Sequence, residues 1–242
     1  MEFKLWSFVL LLLDQSGLPS PKPGTTGYVL DAGANDGKSA QGIARALGRH
    51  NVYTRVRVLA VEPLRSNVQI IESRALQFPN IEVLHAGLGA VNKTIGHYPI
   101  EMDNVTGNIR LQINTWTPKL QRGEATYPIV TVDALFAKDA HRTLLLAHLD
   151  LEGMEHVVLP AANNTIMRDR PIVTVETYPV KIPRQHEAVM AYLDSINYRV
   201  FTVDEIVGGF KDGRNRVGIP KEKSRLLWIA NHYFYGGIGK VD

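Results

Sequence analysis

The sequence predicts an α/β domain built on a mostly parallel seven-stranded sheet, with helices on both faces and an antiparallel last strand. Three observations lead there. Short continuous apolar runs alternate with segments of helical periodicity, the mark of strands buried on both faces. The first apolar run ends in a glycine-rich turn that opens a helix. The last two strand-like runs have no helix between them, which suits a hairpin at the sheet edge. With 242 residues, 45% of them hydrophobic, the chain can fill one full-sized core.

Residues 1–24 are expected to form an apolar segment and a connector, and residues 25–242 the domain. Leu5 to Leu13 is apolar on every side, but nine residues fall well short of the roughly twenty that span a bilayer. It reads as a helix docked on the domain, with a signal or anchor remnant as the alternative; membrane association would come through this segment alone. Leu18 to Gly27 is rich in Pro and Gly, where no regular element continues. Strands follow at Tyr28 to Leu30, Val56 to Val61, Ile81 to Leu84, Leu144 to Asp150 and Pro171 to Glu176. The hairpin is expected from Tyr198 to Val203 and Arg225 to His232, joined by a basic loop, Lys211 to Arg225. Helices are expected from Lys38 to Leu47, ended by Gly48, and from His186 to Ile196. A third opens with Ser66-x-x-Gln69, read as a capping box. The stretch His97 to Pro128 has weak periodicity and reads as a long binding excursion.

Composition narrows the function. A net charge of +3 and a charged fraction of 21% fit a folded domain, and no aromatic-studded basic stripe marks a nucleic-acid partner. The chain has no cysteine, which excludes disulfides, thiolate metal sites and cysteine nucleophiles. Compartment and oligomeric state are not legible, with the cytoplasm and the secretory pathway both open.

Three features carry chemistry. In Asp31-Ala32-Gly33-Ala34-Asn35-Asp36-Gly37, glycines follow a strand and precede a helix, where backbone approaches a ligand closely. The Gly33-x-x-x-Gly37 spacing is not the G-x-G-x-x-G of a dinucleotide fold, and Asp31 would repel a diphosphate while suiting an ammonium group. Glu62 ends the second strand, where a carboxylate can accept two ribose hydroxyls. The segment LLLAHLDLEG puts Leu146, His148 and Asp150 on one strand face by alternation. His148 and Asp150 are then either site groups or, respectively, a satisfied core histidine and a helix cap.

In this order the motifs resemble those of FkbM-type methyltransferases. The family's DVGANxG is similar to Asp31 to Gly37, its FEP to Val61-Glu62-Pro63, and its NVxVxNAALG to Asn80 to Gly89. Its VTLDxL is echoed in Val130 to Leu135, its KIDVEGxExxVLxGA in His148 to Ala162, and its IxxE in Ile172 to Glu176. Two departures stand out: His148 replaces the usual lysine, and Pro160 is placed to end the following helix early. The resemblance implies the class I methyltransferase (Rossmann-like) fold and S-adenosylmethionine as methyl donor. It implies O-methylation of a sugar or natural product, hence a small-molecule or glycan acceptor. Cofactor contacts are expected from Asp31, Ala32, Gly33, Ala34, Asn35, Gly37, Glu62, Pro63, Gly87, Leu88 and Asp150. For the acceptor, Asp150 or His148 is expected as base, with Glu152 and Glu176 positioning and no resident metal. Asn108 and Trp116 are expected to line the acceptor space. The competing readings are a non-catalytic module of the same fold and, more remotely, a nucleotide-dependent oxidoreductase.

Overall fold

The computed structural model describes residues 3–14, 18, 21, 23–94, 98–102, 109–111, 124–125, 127–137, 141–207 and 210–235. Its main sheet has seven strands: β1 (Thr26–Ala32), β2 (Val56–Glu62), β3 (Ile81–His85), β4 (Arg142–Leu149), β5 (Ile172–Glu176), β6 (Tyr198–Val207) and β7 (Phe210–Pro220). Their spatial order is β6-β7-β5-β4-β1-β2-β3. Strands β1 to β5 pair in parallel, while β7 runs antiparallel to both of its neighbours. Strand β1 lies between β2 and β4, so the chain leaves it in one direction and returns on its other side. Ligands of open α/β sheets sit in the crevice that such a reversal opens.

Helices α1 (Phe3–Asp14), α2 (Lys38–Leu47), α3 (Arg65–Ala75) and α8 (Ser224–Tyr235) share one apolar cluster with one face of the sheet. Helices α4 (Val132–Ala137), α5 (Glu155–Ala161), α6 (Asn163–Asp169) and α7 (Pro183–Ser195) belong to the cluster on the other. The apolar segment Leu5 to Leu13 lies within α1, and Leu5, Phe8, Val9, Leu12 and Leu13 are each at most 1% exposed. At roughly 1.5–3 kcal/mol per fully buried large apolar side chain, this helix is a substantial part of the core. Among the described residues, no helix is long and apolar enough to cross a membrane.

Several sequence expectations are corrected. The hairpin forms earlier than expected: Lys211 to Pro220 is strand, whereas Arg225 to His232 is helical, within α8. Leu226, Ile229 and Ala230 are buried at spacings of three and four, which only a helix brings to one face. Val217 and Ile219 alternate inward on β7, a pattern hidden by the charged residues before it. Strand β7 also lies inside the sheet, and β6 forms the edge.

The capping box does not form. Helix α3 begins at Arg65 behind an extended Leu64, and no side chain caps it. The Leu64 amide instead donates to Glu62 Oε1 at 3.0 Å. Asp150 does not share a face with His148 either, because β4 ends at Leu149 and the chain turns. Nor does Asp150 cap the next helix, whose N-cap is Met154 with no side-chain hydrogen bond. Pro160 does end α5 early, and a separate helix starts at Asn163.

Candidate active site

The turn after β1 is shaped by contacts that only glycine permits. Gly33 has φ +80°, and a Cβ there would lie 1.9 Å from the Asp150 carbonyl oxygen. Gly37 has φ +75°, and its Cβ would press on Ile71 of α3 at 2.9 Å. Backbone bonds tie the turn to both neighbouring strands: the Gly33 and Ala34 amides donate to Val61 O, and the Asp150 amide donates to Ala32 O. The β1 turn, the end of β2 and the turn after β4 therefore form one rigid unit.

Glu62 stands at its centre and is 4% exposed. Its Oε2 accepts from the Asn35 amide at 2.9 Å, and its Oε1 from the Leu64 amide at 3.0 Å and Asn67 Nδ2 at 3.4 Å. Burial raises its pKa, an effect these three donors oppose. Asn35 itself has φ +49°, a left-handed conformation that asparagine adopts more readily than most residues.

Around this unit lies a cleft that is partly open to solvent; its empty space, open solvent at the mouth included, is about 720 Å³. It is lined by Gly33, Asn35, Glu62 and Pro63 on one side, Ala86, Gly87 and Leu88 on another, and Asp150, Leu151, Glu152 and Met154 on a third. Of the expected cofactor contacts, Gly33, Asn35, Glu62, Pro63, Gly87, Leu88 and Asp150 thus converge on one space. Asp31, Ala32, Ala34 and Gly37 are absent from its lining. The Asp31 carboxylate is 1% exposed and accepts from Ser39 Oγ at 2.6 Å, behind the turn. Asn67 and Val61 also line the cavity and were not foreseen. A strand's penultimate apolar residue and an asparagine in a helix's first turn carry no local signal.

His148 lies elsewhere. It is 4% exposed, its Nδ1 is 2.9 Å from Thr174 Oγ1, and its ring meets the Trp6 ring of α1 edge-on at 4.7 Å. Burial lowers its pKa and keeps it neutral. This is the core-histidine alternative, beneath a helix and away from the cavity.

The turn after β4 carries the acidic groups. Glu152 has φ +51° and Gly153 φ +99°. A left-handed conformation costs a residue with a Cβ about 1 kcal/mol or more. Glu155 braces the turn from inside α5, its Oε1 accepting the Leu151 amide at 2.7 Å. Glu155 is 2% exposed, and burial pushes its carboxyl up to about 7. Oxygens of Asp150, Glu152 and Glu176 lie within 4.8 Å of one another. That donor set could also hold a hard divalent cation, but protein groups already engage it. Arg214 pairs with Glu176 Oε1 at 2.7 Å, and the Tyr178 hydroxyl lies 2.5 Å from Glu176 Oε2 and 3.0 Å from Glu152 Oε2. Neither Tyr178 nor Arg214 was anticipated: Tyr178 lies beyond the end of β5, and Arg214 was read as part of a basic loop. Asn108 and Trp116, with most of the excursion from His97, lie outside the described residues.

A sheet of this order, with a cavity at the ends of β1, β2 and β4, is the frame of class I methyltransferases. The Methyltransferase FkbM domain matches residues 31–200, and the chain belongs to that family. Among solved structures it is similar to the FkbM methyltransferase from Methylobacillus flagellatus KT, with 18% identity and a TM-score of 0.53. That likeness covers 81% of this chain and 44% of the other, so the chain spans less than half of that protein's length. It is also similar to an O-methyltransferase from Bacillus cereus in complex with SAH, at 12% identity and a TM-score of 0.48, covering 88% of this chain and 90% of that one. Aeropyrum pernix fibrillarin, with natively bound S-adenosyl-L-methionine, gives 12% identity and 0.49 over 88% and 76%. At these identities the likeness is one of fold. No curated protein matches the chain.

Proposed function

We propose that the chain transfers a methyl group from S-adenosylmethionine to a hydroxyl of a sugar or small natural product. The observation that carries this reading is the cavity in which Gly33, Asn35, Glu62 and Leu88 face Asp150 and Glu152. Glu62 is fixed by two backbone amides yet still lines the cavity, so its remaining acceptor capacity suits a pair of ribose hydroxyls. The missing Cβ of Gly33 lets backbone approach the amino-acid part of the ligand, and Ala86, Gly87 and Leu88 offer an apolar wall to a purine.

Bound in this way, the cofactor supplies a methyl carbon already activated by its sulfonium. The residues then have to align an acceptor oxygen with that carbon and take its proton. Asp150 and Glu152 line the cavity across from Glu62, and they take the place of His148 as candidate bases. Glu176 supports them through Tyr178.

Calorimetry with S-adenosylmethionine and S-adenosylhomocysteine tests the donor half. Both should bind, and NAD should not. Failure of both to bind, or binding of NAD in their place, overturns the reading. Methyl transfer to a hydroxyl library, followed by mass spectrometry, tests the acceptor class; modification of nitrogen or carbon alone would sink the O-methyl assignment.

A further inference from the structure

Asn67, in the first turn of α3, lines the cavity together with Glu62 and Asn35 and joins the two. Its Nδ2 lies 3.4 Å from Glu62 Oε1 and 3.3 Å from Asn35 Oδ1. Backbone amides already donate to both oxygens of Glu62, so that carboxylate acts as an acceptor and sets the orientation of its neighbour. Asn67 must turn its NH₂ toward Glu62, because its own oxygen there would meet a carboxylate oxygen. The two protons of that NH₂ serve Glu62 and Asn35, and the carbonyl oxygen Oδ1 is what Asn67 has left to offer a ligand. Asn35, in its left-handed conformation, is thereby held from two sides, its main chain by Glu62 and its side chain by Asn67.

A carboxylate has about four lone-pair sites. On Glu62 protein donors occupy three of them: the Asn35 amide, the Leu64 amide and the Asn67 NH₂. A ribose brings two neighbouring hydroxyls, and Glu62 has about one place left for them. The second hydroxyl needs another acceptor close by, and the Asn67 amide is in contact with Glu62. Stability gives little other reason for this residue, since asparagine is a poorer helix former than alanine and both its contacts are long. We propose that Asn67 is a ribose-binding residue: one hydroxyl donates to Glu62 and the other to Asn67 Oδ1, while the Asn67 NH₂ holds Glu62 and Asn35 in place. The proposal rests on the S-adenosylmethionine reading above, and it divides between two residues the pair of hydroxyls that Glu62 faces there.

Calorimetry on the full chain, on Asn67→Ala and on Asn67→Asp tests it, with S-adenosylhomocysteine and its 2′-deoxy and 3′-deoxy analogues as ligands. The native chain should prefer S-adenosylhomocysteine to each analogue by at least about threefold. Asn67→Ala should bind S-adenosylhomocysteine about three- to tenfold more weakly, the range of one neutral hydrogen bond. It should also lose the preference over one analogue and keep the preference over the other, which belongs to Glu62. Its melting temperature should stay within about 3 °C of the native value. Asn67→Asp lacks the NH₂ but keeps an acceptor oxygen, so it should bind all three ligands more weakly and retain both preferences. If Asn67→Ala keeps both preferences, loses both, or melts far lower with all three ligands weakened alike, Asn67 is only a prop and the proposal is overturned. Loss of a preference in Asn67→Asp, or a native chain without either preference, overturns it as well. A native chain that binds neither S-adenosylmethionine nor S-adenosylhomocysteine condemns the methyltransferase reading itself, whereas native binding with the wrong pattern of preferences condemns only this assignment.

Discussion

The two halves of the cavity are built in opposite ways. The half made by the β1 turn and Glu62 is held by main-chain geometry: glycines at positive φ, amides donating to Val61 O, and a carboxylate fixed by two backbone N–H groups. The half made by Asp150 and Glu152 is backed by Glu176, Tyr178 and Arg214, side chains from separate segments. The first half needs few residue types and tolerates little change. The second sets charge against charge, and a different set of side chains on the same strands would give different chemistry. The strained backbone of Glu152 lies in this second half.

The sharpest way to break the first half is Gly33→Ala. Its Cβ would meet the Asp150 carbonyl at 1.9 Å, and φ is +80°, so the turn must separate from β4. The expected result is a stability loss of about 3 kcal/mol or more and no detectable cofactor binding. Native-like melting with native affinity would show that the turn yields more easily than its contacts imply.

Glu155 tests the second half through pH. Its folded carboxyl sits at about 7 against an ordinary 4.5. The protonated form is thus favoured in the fold, and stability is lost as pH rises through that interval. Glu155→Gln removes the penalty while keeping an acceptor for the Leu151 amide. Its melting temperature, relative to the native chain, should rise between pH 5 and pH 8, by an amount equivalent to about 3 kcal/mol at most. A constant difference across that range would place the Glu155 carboxyl at an ordinary value.

Glu62→Gln addresses the seam between the halves. One of its two amide contacts is set against an NH₂ group, and the carboxylate charge at the cavity wall is gone. Cofactor affinity should fall roughly 10- to 100-fold, in line with a charged hydrogen bond of about 1.5–3 kcal/mol. Calorimetry reads this directly, and an unchanged affinity would remove Glu62 from the donor site.

The smallest expected effect on binding belongs to His148→Ala. The histidine lies under Trp6, so its loss should cost about 1–3 kcal/mol of stability and leave cofactor affinity within about twofold. A large drop in affinity with unchanged melting would return His148 to the site.

Much of the cavity wall at the β1 turn was legible because its signals are local. Gly33, Glu62 and Pro63 sit next to strand ends within a few residues of one another, and a turn's φ requirement or a strand's last residue is written into a short stretch of chain. The alternation of apolar runs and helical patterns placed six of the seven strands for the same reason. Where period was weak, the reading failed. Val217 and Ile219 on β7 were hidden among charged residues, and α8 was taken for a strand because eight mostly apolar residues fit either element.

The acidic half was decided by packing. His148 and Asp150 are two residues apart, and alternation joins them; the end of β4 at Leu149 turns one into the cavity and leaves the other beneath α1. Tyr178 and Arg214 are 36 positions apart in the chain. They meet at Glu176 only because β7 pairs antiparallel with β5 in a register that sets Glu176 opposite Asn215. Short-range chemistry fixes strands, turns and the glycines between them. Which charged side chains share one small volume depends on strand register and on where each strand stops, and those are settled by the burial of the whole sheet.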